Sequence, residues 1–271
     1  MQVNCVIVRR VMMAWLVGWY IKGCFFFPYF FHEIVQVPIR NSFFPAIFSN
    51  SLVAQLAYVL PFLTIFAIFE SQPLYFRLSS CLMTLSSGIL SWHQDTYNDA
   101  TFVTSFWVAV WLLWVSINLD RRDAEFRLHA RVLAVSILSV VFMGGWVGKL
   151  TAEYWNGQII YHIFIVSNNH WPAIWLKNFL PREQVQLWCV VISRLIIGLE
   201  MFLSFSLFFP FRLVRFWAPF LMGGIMLFST WRILSVLSCL FGMIWFCGGS
   251  EKFDREEKGH LLKGTEIRKA Q

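Results

Sequence analysis

Apolar residues run along this chain in long, nearly unbroken blocks separated by short polar segments. A helix needs about 20 predominantly apolar residues to cross the hydrocarbon core of a bilayer. Blocks near that length lie at about 11–31, 51–69, 75–91, 100–119, 130–150, 185–208, 213–229 and 231–248. The pattern predicts an all-α, polytopic transmembrane helical bundle of about eight spans over residues 1–248, followed by a charged tail at 249–271. The last two blocks meet at Ser229-Thr230-Trp231-Arg232, and reading them as one long tilted helix gives seven spans. The third block is short and carries Ser79, Ser80, Ser86 and Ser87, hydroxyls that favour neighbouring helices over lipid. A polar and aromatic stretch at about 151–184 separates the fifth and sixth blocks. Its alternating segment around 159–165 reads as a re-entrant or interfacial helix ending at Pro172.

Composition agrees with the pattern. Of 271 residues, 58% are hydrophobic, 18% aromatic and only 14% charged, against about 25% charged in an average soluble domain. No single core of this size hides so much apolar surface, so the chain needs a lipid bilayer around it. Arg9-Arg10 followed by an apolar run resembles a signal peptide, but the run is long enough to span and has no small-residue cleavage site. It reads as the first membrane helix.

The net charge of +7 raises the question of nucleic acid. The basic residues fall between apolar blocks and in the tail, as in cytoplasmic loops, so no nucleic-acid partner is expected. With the amino terminus inside, fifteen Lys and Arg residues face the cytoplasm and five the opposite side. Lys22 and Arg194 lie within spans and complete the 22. This bias predicts both termini in the cytoplasm. The six cysteines (5, 24, 81, 189, 239 and 247) show no C-x-x-C and sit mostly in apolar blocks. They read as small hydrophobes, with neither a disulfide framework nor a zinc site expected. Cys247, at the end of the last block, is a candidate for acylation.

Ionisable residues at membrane depth are costly and usually face a bundle interior or cavity. Lys22 sits within the first block and either snorkels or turns inward. Lys149 closes the fifth block, with Glu153 four residues on; the two would form a bridge on a continuous helix, in the weaker Lys-before-Glu order. Arg194 and Glu200 lie in the sixth block, six residues apart. That spacing puts them about 120° apart around a helix, so each reaches another helix more easily than it reaches its neighbour. His93, Asp95 and Asp99 crowd a turn between the third and fourth blocks, which is either a solvated turn or part of a site. His162 and His170 have no carboxylate or cysteine at ligand spacing, so no metal site is assigned. A lysine desolvated at the end of a helix has a lowered pKa and suits a base. An apolar pocket with a few polar groups suits a lipophile such as a quinone.

Three segments resemble a known family: the turn SWHQDTYNDATF, the basic loop NLDRRDAEFRLHARV, and GKLTAEYWNG with its Gly, Lys-Leu, acidic spacer, Trp and Gly. In this order they resemble the membrane domain shared by vitamin K-dependent γ-carboxylases and the bacterial horizontally transferred transmembrane (HTTM) proteins, and more distantly the DoxX-like proteins. The recognisable part covers about a quarter of the chain. The resemblance implies a base at Lys149, a quinone-like ligand with Trp155 in the same motif, and a bacterial cytoplasmic (inner) membrane location. The carboxylases carry a histidine after two asparagines; here Asn98-Asp99-Ala100 puts alanine in its place, and His93 would substitute from another position. Only 23 residues follow the last block, with no room for the carboxylases' substrate-binding domain, so protein carboxylation is not expected.

Three function classes remain. One is an HTTM-type membrane protein that binds or acts on a quinone-like lipophile through Lys149, Glu153 and His93, with Trp155, Arg194, Glu200, Asp95 and Asp99 as binding residues. The second is a non-catalytic subunit or assembly factor with membrane-protein partners, whose charges lock helices together. The weakest is a small-molecule transporter with Arg194 and Glu200 along its path, since no internal repeat is visible.

Overall fold

A computed structural model describes residues 2–31, 50–69, 72–93, 100–120, 124–166, 171–206 and 234–244, together with 208, 220, 222 and 223. Among the described residues all regular structure is helical. In chain order the helices are α1 (Gln2–Phe31), α2 (Ser51–Val59), α3 (Ile65–Phe69), α4 (Pro73–Trp92), α5 (Ala100–Ile117), α6 (Ala124–Val147), α7 (Ala152–Trp155), α8 (Gln158–Ile160), α9 (Trp171–Phe179), α10 (Arg182–Ser206) and α11 (Leu234–Ile244).

Among the described residues, four stretches are long and apolar enough to cross a membrane: Ser51–Phe69, Ala100–Ile117, Leu128–Val147 and Arg182–Ser206. The first contains α2 and α3, joined by a 3-10 turn at Leu60–Thr64. Pro61 has no N–H to continue the α ladder, and the backbone tightens around it while Thr64 Oγ1 donates to the Pro61 carbonyl at 2.6 Å. Of the other expected spans, 11–31 falls in α1 and 75–91 in α4. α11 covers 11 residues of the eighth, and most of 213–229 lies outside the described residues.

The main core draws most of its buried side chains from α1, α2, α4, α5, α6 and α11. Trp15 and Trp19 are fully buried and stacked, centroids 4.5 Å apart. Their indole N–H groups donate to the Ser105 carbonyl at 2.8 Å and the Tyr58 carbonyl at 2.9 Å, which ties α1 to α5 and α2. An indole in an apolar interior needs such a partner. α4 packs most extensively on α5, and its serines explain how. Ser79, Ser80, Ser86, Ser87 and Ser91 are all buried. Ser80, Ser87 and Ser91 donate to carbonyls one turn back in their own helix, and Ser80 also meets Ser116 of α5 at 2.9 Å. Small residues whose hydroxyls are satisfied internally let two helices approach closely without leaving polar groups unpaired. At one end of this pair Arg77 bonds Asp120 at 2.8 Å and the Ser116 carbonyl at 3.2 Å.

α11 crosses α1 at a contact only glycine permits. A Cβ on Gly18 would lie 2.5 Å from the Ser235 carbonyl oxygen and 2.7 Å from Cys239 Sγ. Thr101 and Ser235 hydroxyls, 3.0 Å apart, link the same helix to α5. In α6, by contrast, a Cβ on Gly144 would meet nothing within 4 Å. Gly18→Ala should therefore cost about 1–3 kcal/mol through overpacking, while Gly144→Ala should be neutral or stabilise by up to about 1 kcal/mol. Unfolding of the two variants in detergent, followed by circular dichroism, should show these opposite signs.

Candidate functional site

α6 stops where its sequence becomes glycine-rich, Gly144-Gly145-Trp146-Val147-Gly148. The chain then tightens, with Lys149 N bonding Trp146 O and Leu150 N bonding Val147 O, both at 3.1 Å. Thr151 caps α7 by accepting from Tyr154 N. Gly157 takes a left-handed φ of 72°, and a Cβ there would lie 2.5 Å from Val190 N, so the turn into α8 presses directly on α10.

Lys149 lies in this break. Its Nζ donates to Glu200 Oε2 at 2.6 Å, Glu200 Oε1 at 2.9 Å and Gly145 O at 3.0 Å. An ammonium has three N–H donors, and all three are used. The side chains are 25% and 12% exposed, so the pair is shielded but not sealed. Lys149 also sits at the α6 C-terminus, where a cation favours the free carbonyls. Gly145 makes room for the carboxylate: a Cβ there would stand 3.0 Å from Glu200 Oε2.

Other groups gather at the same corner. The Tyr154 ring centroid is 5.9 Å from Lys149 Nζ. Burial first, and the Glu200 carboxylate second, push the Tyr154 phenol above its ordinary pKa. Ser193 donates to the Tyr154 carbonyl, fastening α7 to α10. Farther along, the Arg194 guanidinium stacks over the Trp155 ring at 5.0 Å, and both are exposed. Trp146 Nε1 is buried and has no hydrogen-bond acceptor among the described residues. Trp146 lies in the last turn of α6, three positions before Lys149 in the chain, and its backbone carbonyl accepts from Lys149 N at 3.1 Å.

The sequence-predicted residues thus divide. Lys149 and Glu200 come together, and so do Trp155 and Arg194. Glu153 is exposed, and Lys149 pairs with Glu200 in its place because α6 ends at Val147 and the two residues share no continuous helix. His93 is fully buried at the end of α4, with Nε2 3.1 Å from the Asn50 carbonyl oxygen at the start of α2. It thus serves a different helix junction from Lys149. Asp95, Asp99 and His170 lie outside the described residues. His162 is exposed, and no cluster of three or more metal-binding side chains occurs among the described residues. Lys22 is buried with its ammonium 5.4 Å from the Phe102 ring centroid, so it turns inward. The expected helix ending at Pro172 differs from the described residues, in which Tyr161–Val166 form a π-helical turn and α9 runs through Pro172 to Phe179, with 167–170 outside the described residues. Pro172 stands in the first turn of α9, where its missing N–H costs nothing. Tyr154, Gly145, Ser193 and Trp146 were not singled out by sequence; the glycines before Lys149 were the available signal.

Comparison with protein-family models, curated proteins and solved structures gives no match.

The raised Tyr154 pKa has a signed consequence. The folded protein holds a phenolic proton that the unfolded chain releases near pH 10, so this group's contribution to stability is present below that pH and falls as pH rises above about 10. Tyr154→Phe should make the fall in melting temperature between about pH 9 and 11 shallower than in the unsubstituted protein.

Proposed function

We propose that this chain is a multi-pass integral membrane protein of the HTTM type, with about eight spans and both termini cytoplasmic, that binds the head of a quinone-like lipophile at the Lys149 corner. The apolar helices support the bilayer setting. The observation that carries the ligand is the buried Trp146 indole N–H, a donor without a described acceptor in the helix end that leads into the charged pair. A buried donor left unpaired costs about 1–3 kcal/mol, and a quinone carbonyl supplies the acceptor it needs.

The charged pair also redefines the chemistry expected of Lys149. An ammonium donating three hydrogen bonds has no lone pair with which to take a proton. In this arrangement the net proton acceptor is the Glu200 carboxylate, and Lys149 remains as the countercharge for an anionic ligand. Binding stands as the primary reading, with proton uptake by Glu200 as the step it would permit.

A second reading is favoured by the same saturation. A fully satisfied pair joining the end of α6 to α10 is also a helix lock, as expected in a non-catalytic subunit or assembly factor. Removing one member of a buried pair costs up to about 3–5 kcal/mol, whereas replacing both with neutral groups is often tolerated. Lys149→Met and Glu200→Gln should each destabilise the protein, and the double variant should recover part of that loss.

Trp146→Phe separates the readings. It removes a buried donor that has no acceptor among the described residues, so stability should hold or rise by up to about 1 kcal/mol. Protein purified in mild detergent from quinone-containing membranes should carry a redox-active lipophile by mass spectrometry, and Trp146→Phe should lose most of it at unchanged melting temperature. Unsubstituted protein that carries none, or a Trp146→Phe variant that keeps it in full, would leave the helix lock as the surviving account.

A further inference from the structure

α6 and α10 are staggered, and the stagger has a consequence for depth. The antiparallel pairing is marked by Ser139 Oγ donating to Ser204 O at 2.7 Å, Lys149 meeting Glu200, Ser193 bonding the Tyr154 carbonyl, and Gly157 backing onto Val190. Only the last few residues of α10 therefore run beside the apolar part of α6. The rest of α10 runs beside the broken segment 148–166. Both helices carry exposed apolar side chains along most of their lengths: Leu128, Val132, Val140 and Val147 on α6, and Leu187, Leu195 and Phe202 on α10.

At 1.5 Å per residue, Leu128 to Ser139 is about 17 Å and Ser204 to Leu187 about 25 Å, an apolar band about 42 Å tall. The hydrocarbon core is about 30 Å thick. Fitting the band inside it would require a tilt of about 45°, beyond the 0–40° that spanning helices adopt. One end of the pair must leave the hydrocarbon.

We infer that the end which leaves is the one formed by α7 to α9 and the first half of α10, and that it lies in the phospholipid headgroup layer. This end has its own small core of Ile160, Ile165, Val185, Cys189 and Ile196, separate from the main core. Its surface carries exposed Trp155, Trp175, Phe179 and Trp188 interleaved with exposed Lys177, Arg182 and Arg194. Exposed indoles beside cations suit neither bulk water nor hydrocarbon; they suit the interface, where tryptophan concentrates. α9 follows the pattern of an interfacial helix, with Trp175 and Phe179 paired at 5.3 Å on its exposed side and Lys177 in its last turn. Arg194, over the Trp155 ring at 5.0 Å, has a planar fork of donors that matches a lipid phosphate. The occupant of this surface is the phospholipid interface, with Arg194 on its phosphates.

The inference rests on the membrane setting of the proposed function and not on its ligand. Carbonate-resistant membrane association tests that setting separately. The depth test uses purified protein in phosphatidylcholine vesicles whose acyl chains are brominated either near the glycerol or near the terminal methyl. In the triple variant Trp155→Phe, Trp175→Phe and Trp188→Phe, quenching by the shallow bromines should drop by more than total emission drops, and quenching by the deep bromines should be unchanged. Loss of deep quenching would place this end in the hydrocarbon, and loss of neither would place it in water; either result overturns the inference. Trp188→Phe alone, on the exposed side of α10, should change in the same direction and serves if the triple variant does not fold.

Discussion

A lysine and a glutamate shielded from water tolerate one another only at close range, and the Lys149–Glu200 pair imposes that demand on two helices. Its geometry sets the register of α10 against α6. Because Lys149 also bonds the Gly145 carbonyl, the ammonium is fixed to the end of its own helix before it reaches across. Gly145 favours the approach, since a Cβ there would stand 3.0 Å from Glu200 Oε2 and press on the carboxylate. The break after Val147 follows from the same requirement. A helix continuing through residue 151 would carry Lys149 on with its axis; ending it lets the side chain fold back to Gly145.

Everything beyond the break hangs on that register. Ser193 holds the Tyr154 carbonyl and Gly157 lets the backbone rest on Val190, so the segment after α6 continues along α10 as short helices instead of departing as a loop. The main bundle is secured by different means. Indole donors, back-bonded serines and a glycine crossing hold α1, α4, α5 and α11 at close range, with Arg77–Asp120 at one end of the α4–α5 pair and Lys22 turned onto Phe102. Within a bilayer, close packing and internally satisfied polar groups replace the hydrophobic effect as the force between helices. The molecule thus joins a tightly packed bundle to a charged pair at the end of α6.

The helical class and the apolar blocks were legible in the sequence because lipid exposure writes itself as unbroken hydrophobicity. The buried face of α4 was legible too, since four serines in a short apolar block need partners and α5 supplies close packing for them. Glu200 and Arg194 could be placed on different faces from their spacing alone, but their partners could not be named. Glu200 meets a lysine 51 positions away, and Arg194 meets a ring 39 positions away. Such contacts depend on how two helices are offset, and no local pattern encodes an offset. The Lys149–Glu153 pairing failed for a local reason: the glycines at 144, 145 and 148 end the helix that the i, i+4 spacing presumed. Tyr154 and Trp146 escaped notice because an aromatic residue in a chain with 14 tryptophans and 29 phenylalanines carries little signal by itself.

Lock and ligand site are not opposed at the Lys149 corner. A ligand head can enter only if the groups it meets already stand in position, and a saturated ammonium is a rigid one. Complete saturation of Lys149 would suit a lock with nothing further to do, yet the neighbouring indole N–H has no described acceptor in a corner where every N–H of the ammonium has one. A purely structural corner gains nothing from a buried donor left without an acceptor. Trp146 is therefore the residue at which the two accounts part: the lock explains the pair, and it leaves the indole without an acceptor among the described residues.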